Sequence, residues 1–104
     1  MTEKQIRQLQ KQFGYHHWQD LIDNGRVWSL EGTAGRTASD LLEAGICFLP
    51  EIRHYDYWGN IVPARSDLKA GTKGTLENAK NFWASVKNGE TTLEKDEYFE
   101  WMQD

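Results

Sequence analysis

The chain has 104 residues, 38% of them hydrophobic, and a formal net charge of -4, which sets the expectation of one domain around one core. That balance makes the chain a poor candidate for nonspecific nucleic-acid binding, which needs clustered positive charge, and a single cysteine, Cys47, excludes an internal disulfide. No apolar run approaches the ~20 residues of a membrane span, and the polar, helix-patterned N-terminus is unlike a signal peptide, so a cytoplasmic protein without a membrane partner is expected.

Five Trp, four Tyr and four Phe offset the modest apolar content, since each ring can bury ~150–250 Å². The charge is unevenly spread. Residues 1–89 hold 10 acids and 11 Lys or Arg, whereas residues 90–104 hold six acids (Glu90, Glu94, Asp96, Glu97, Glu100 and Asp104) against Lys95 alone. A nearly neutral body thus ends in an acidic segment, which favours a partner with a basic surface.

Thr2 and Gln5 form a capping box for a first helix, and Ile6, Leu9 and Phe13 follow at helical spacing. Gly14 breaks or bends it, Trp18, Leu21 and Ile22 continue the apolar face, and Asn24-Gly25 ends it. Residues 3–23 therefore read as one bent helix or two short ones. Residues 26–31 read as a short strand of mixed alternation. A first Gly-rich loop, Gly32-Thr33-Ala34-Gly35-Arg36-Thr37, then leads to a two-turn helix capped by Thr37 or Ser39 and ended by Gly45.

The clearest β signal spans residues 51–58, with Gly59-Asn60 as a hairpin turn and Ile61-Val62 opening the return strand. Pro63 places that strand at an edge or ends it. By strand alternation Arg53, Tyr55 and Tyr57 share one face, and Ile52, His54, Asp56 and Trp58 the other. A second loop, Gly71-Thr72-Lys73-Gly74-Thr75, leads into a helix striped by Leu76, Ala79, Phe82, Trp83 and Val86. Thr91 or Thr92 caps a last, acidic helix over 90–104. The fold class expected is α+β: one small domain with an antiparallel hairpin or small sheet packed on about four short helices.

Three places carry chemistry. The two Thr-bearing loops, through Gly35, Arg36, Thr37, Lys73, Gly74 and Thr75, are suited to hold a phosphate or carboxylate, because unpaired amides at a helix start attract anions. Their order does not match the P-loop pattern, and turn and cap chemistry uses the same residue types. The hairpin presents Tyr55, Tyr57 and Trp58 as partner anchors, with Arg53 and Arg65 available to carboxylates or phosphates. The plain alternative is a sheet whose rings cover the core while His54 and Asp56 satisfy each other. The acidic segment adds Glu94, Glu97, Glu100 and Trp101 as a surface for a basic partner.

Cys47, His54 and Asp56 are the residue types of a nucleophilic site but lack a family spacing. Cys47 lies in an apolar run, as a buried inert thiol does. His16 and His17 are adjacent, so on a helix they diverge by ~100° and share a metal poorly. No metal, cofactor or catalytic residue is expected. A weaker option is nucleic-acid contact through Arg53, Arg65, Lys69 and Lys73.

The stretches Leu30-Glu31-Gly32, Gly35-Arg36, Gly45-Ile46-Cys47-Phe48-Leu49, Asp56-Tyr57-Trp58-Gly59-Asn60-Ile61-Val62-Pro63-Ala64-Arg65 and Gly71-Thr72-Lys73-Gly74 resemble small accessory proteins of phages and other mobile elements. The resemblance covers the middle of the chain and carries over no site residue. It implies a context, antagonism of host defence or modification of host machinery. The functional expectation is a non-enzymatic interaction module that inhibits a host defence complex. The alternative is a protein that sequesters a small phosphorylated ligand, such as a nucleotide, at the paired loops.

Overall fold

The structure, a computed structural model, describes residues 1–30 and 33–96. Helix α1 (Glu3–Phe13) begins at the expected capping box: the Gln5 amide donates to Thr2 Oγ1 at 3.2 Å, and the Thr2 amide donates to Gln5 Oε1 at 2.8 Å. Gly14, at φ 85°, ends it in the left-handed conformation that only glycine adopts without strain. The chain turns at once into α2 (His16–Asp23), so residues 3–23 form two short helices.

The segment read as a first strand is a 3₁₀ helix, Arg26–Ser29. The Trp28 amide donates to the Gly25 carbonyl and the Leu30 amide to the Val27 carbonyl. With no neighbouring strand to pair with, the backbone closes on itself, and Val27 becomes fully buried. Helix α3 (Ala34–Ala44) also starts earlier than expected. Thr37 is not its cap, because its amide donates to the Thr33 carbonyl at 2.8 Å, and Thr33 at the N-cap makes no side-chain bond. Gly35, Arg36 and Thr37 therefore lie inside the helix rather than in a loop.

After Gly45 the chain runs through the interior without regular structure. Residues 45–50 are all buried, and side chains satisfy their backbone. Gln10 Nε2 and Trp83 Nε1 both donate to the Ile46 carbonyl, at 2.8 and 3.0 Å. Gln19 accepts the Phe48 amide at 3.1 Å and donates to the Phe48 carbonyl at 2.8 Å. This pairing lets an irregular segment sit in a core where open backbone groups would each cost ~1–3 kcal/mol. Ile6, Trp18, Ile22, Leu42, Ala79 and Trp83 pack around it.

Strands β1 (His54–Tyr55) and β2 (Ile61–Val62) form a two-stranded antiparallel sheet in the register His54↔Val62 and Tyr55↔Ile61. A 3₁₀ turn, Arg65–Asp67, follows. Thr75 caps α4 (Leu76–Lys87) as expected, its hydroxyl accepting the Asn78 amide at 3.3 Å. Four helices and a small antiparallel sheet thus make a small α+β domain.

Among the described residues, 90–96 form no helix, contrary to the expected acidic helix. They run across α1 and α2 instead. The Asp96 amide donates to the Phe13 carbonyl at 2.8 Å, Trp18 Nε1 donates to Asp96 Oδ2 at 2.8 Å, and the Tyr15 hydroxyl donates to the Glu94 carbonyl at 3.0 Å. These tertiary partners take backbone groups that a helix would have used. Glu97, Glu100 and Trp101 lie outside the described residues. No described helix is long and apolar enough to cross a membrane.

Candidate functional site: an aromatic hairpin and the cleft beside it

The hairpin is built around Asp56. Its carboxylate accepts the amides of Trp58 (2.9 Å) and Asn60 (2.8 Å) and the Asn60 side-chain amide (3.2 Å). Its backbone closes the loop as well, donating to the Asn60 carbonyl and accepting the Gly59 amide. Gly59 supplies the positive φ, 83°, that the turn requires. His54 and Asp56 do not satisfy each other: His54 Nε2 donates to the Asp23 carbonyl at 3.1 Å.

The short ladder has an inner and an outer side. His54 and Val62 face inward, His54 onto the end of α2 and Val62 against the core. Tyr55 and Ile61, paired across the strands, face outward and are 66% and 60% exposed. The strand alternation ends there, because Tyr57 and Trp58 belong to the turn. Both stand out from it, Trp58 at 80% exposed, with ring centroids 5.4 Å apart in an edge-to-face pair. Ile52, just before β1, is also exposed.

Beneath the turn, the Tyr57 amide donates to the Trp28 carbonyl at 3.0 Å. That bond fixes the hairpin tip over the 3₁₀ helix and leaves an open cleft of about 480 Å³ between them and the start of α3. Trp28, Tyr57 and Trp58 line it with rings, while Arg36, Ser39 and Asp56 supply its polar groups. Arg36 is exposed and makes no ion pair or hydrogen bond among the described residues. Trp28 Nε1 is buried without an acceptor. The Asp56 carboxylate, by contrast, is already occupied by the turn.

The first Gly-Thr motif thus contributes to this cleft and the second does not. Lys73 is paired with Glu43 at 2.5 Å. Thr75 donates to the Thr72 carbonyl while capping α4. Gly74, at φ 90°, is packed so closely that a Cβ there would meet Leu49 at 2.9 Å. Lys73, Gly74 and Thr75 therefore do local structural work, and Thr37 sits half-buried in α3.

The arginines offered as external contacts are likewise engaged. Arg53 makes a bidentate pair with Asp67, at 2.7 and 2.9 Å. That guanidinium, helped by the Ala64 amide, holds the Asp67 carboxyl down at about 2. Arg65 donates to the Leu49 carbonyl at 2.8 Å and to Glu3 at 2.7 Å, and stacks over the buried Phe48 ring opposite Arg7, each 5.1 Å from its centroid. Cys47 is fully buried, and burial pushes its thiol well above its ordinary range, the environment of a structural rather than a reactive thiol. Glu94 keeps an exposed side chain, although its carbonyl is tied down by Tyr15. Among the described residues no group of three or more His, Cys, Asp or Glu is placed to hold a metal.

Trp28, Ser39 and Asp56 were not among the residues that the sequence singled out for binding. Asp56 left a readable signal, an Asx residue entering a Gly-Asn turn. Trp28 left none, because its position depends on a 3₁₀ helix that reads as a strand. No family model, curated protein or solved structure matches the chain.

Proposed function

We propose that this protein is a non-enzymatic interaction module whose hairpin rings anchor a partner protein. One observation supports the reading above others: Ile52, Tyr55, Tyr57, Trp58 and Ile61 are all at least 60% exposed within ten residues, on a turn braced by Asp56 and by Trp28. Exposed apolar patches on small domains mark interaction sites, and rigid aromatic side chains lose little entropy when they dock. The acidic segment, with Glu90 and Glu94 exposed in its described part, directs the choice toward a partner with a basic surface. The resemblance to accessory proteins of mobile elements supports a host defence complex as the source of that partner, with inhibition as the consequence of binding.

The test is capture from host lysate by tagged wild type and by a Tyr55→Ser/Ile61→Ser variant in parallel. A protein retained in stoichiometric amount by wild type and lost from a variant with an unchanged melting temperature supports the reading. Equal capture by both proteins sinks it.

A further inference from the structure

The cleft beside the hairpin shares Tyr57 and Trp58 with the docking face, but its polar groups carry an imbalance that docking through Tyr55 and Ile61 does not use. Among the described residues its cation is unpaired, whereas its carboxylate is taken. Arg36 has no anionic partner among the described residues, Ser39 is exposed, and the Trp28 indole N–H has no acceptor, while Asp56 accepts three turn donors. Such a site favours a ligand that only accepts. The remaining lining is apolar, Val27, Leu30 and Gly35 together with the rings of Trp28, Tyr57 and Trp58, which favours a flat body able to stack on a ring. A volume of about 480 Å³ exceeds what a bare inorganic anion fills and lies in the range of small-molecule sites.

We infer that the cleft binds a flat aromatic anion, with the ring system against Trp28, Tyr57 or Trp58 and the anionic oxygens on Arg36. A nucleoside monophosphate has this chemistry, and so does an aromatic carboxylate. The site is formed by α3, the 3₁₀ helix and the hairpin tip, without the second Gly-Thr loop; it shares Tyr57 and Trp58 with the proposed docking face, while Arg36 and Trp28 belong to the cleft alone.

Calorimetric titration of the full chain with AMP, UMP, adenosine, indole-3-acetate and inorganic phosphate tests it. AMP or UMP is expected to bind with a sub-millimolar Kd. Adenosine and phosphate alone are each expected to be weaker by about tenfold or more, the loss of one charge-assisted contact or of the stacked ring. Arg36→Gln should weaken AMP by a similar factor and abolish its advantage over adenosine. Lys73→Gln and the Tyr55→Ser/Ile61→Ser variant should leave AMP affinity unchanged. Tighter binding of indole-3-acetate than of AMP would assign the anion as a carboxylate rather than a phosphate. The inference is overturned if no aromatic anion gives heat at about 5 mM, if AMP and adenosine bind wild type equally, or if Lys73→Gln rather than Arg36→Gln removes binding. The AMP–adenosine comparison on wild type needs no variant, so a folding defect in Arg36→Gln cannot hide the answer.

Discussion

Two neighbouring stretches of this chain are both rich in apolar and aromatic residues, and the fold treats them oppositely. Residues 45–50 are wholly buried, whereas Ile52, Tyr55, Tyr57, Trp58 and Ile61 stand in solvent. Their difference lies in where the backbone polar groups find partners. In the first stretch Gln10, Gln19 and Trp83 reach in to satisfy the Ile46 and Phe48 backbone. The second satisfies itself through Asp56 and a short ladder, so its side chains need no burial for the backbone to be content. Apolar character alone therefore decides neither outcome.

The strongest way to break this comparison is to make one substitution in both regions. Trp83 is fully buried and Trp58 is 80% exposed. Trp83→Ala removes a core ring that packs on Phe13 and Phe82 and one of the two donors to the Ile46 carbonyl, so a loss of about 3–5 kcal/mol is expected in urea unfolding. Next comes the polar brace. Gln19→Ala strips partners from both the amide and the carbonyl of Phe48, and also from Gln10. A cost of about 1–3 kcal/mol follows if those groups stay dry. A cost near zero would mean that water replaces the side chain, and that the segment is held by apolar packing alone.

How much of this was legible in the sequence depended on which interactions were local. The α1 capping box, the Gly14 break, the Thr75 cap and the Gly59 turn each involve residues a few positions apart, and all stand where the pattern put them. The buried thiol of Cys47 followed from its apolar run. What failed was non-local. Residues 26–29 became 3₁₀ for want of a strand to pair with. The stretch 90–96 left its expected helix for contacts with Phe13, Tyr15 and Trp18 about 80 positions away. The cleft was half legible: Arg36 and the rings were singled out, but only the tertiary fold reveals that they meet over Trp28 and that Lys73 does not join them.

A third perturbation tests how firmly the hairpin is seated. Gly25 is at φ 75°, and a Cβ there would collide with the His54 ring. Gly25→Ala thus combines a left-handed penalty of about 1–2 kcal/mol with displacement of the His54–Asp23 contact. The melting temperature should fall, and amide exchange should accelerate in residues 54–62 before it does in α1.

Acid should act more mildly, and on different groups. Asp67 is held down at about 2 from 3.8 by Arg53 and the Ala64 amide. The unfolded chain therefore binds more protons across that window, and the stability this carboxylate contributes is present above pH 3.8 and lost as pH falls toward about 2. His16 is shifted below 6.5 by burial and by His17. Its neutral form is favoured in the fold, so stability also declines as pH drops below 6.5. Asp67→Asn should flatten the melting curve's dependence on pH at the acid end, and His16→Gln should flatten it just below neutrality.

The smallest expected effect on stability is the most informative about function. Trp58→Ala removes a ring that is 80% exposed and packs edge-to-face on Tyr57, so unfolding free energy should move by no more than about 0.5 kcal/mol. The turn itself should survive, because it uses the Trp58 backbone amide rather than the indole. A side chain that the fold can discard at so little cost, on a loop where Asp56 fixes its position, is the one whose loss would report on the proposed partner contact without disturbing the fold. Should Trp58→Ala instead destabilise the protein as Trp83→Ala does, the indole would belong to the core in solution. The hairpin would then lose its claim to be a docking surface, and the cleft beneath it would lose one of its walls.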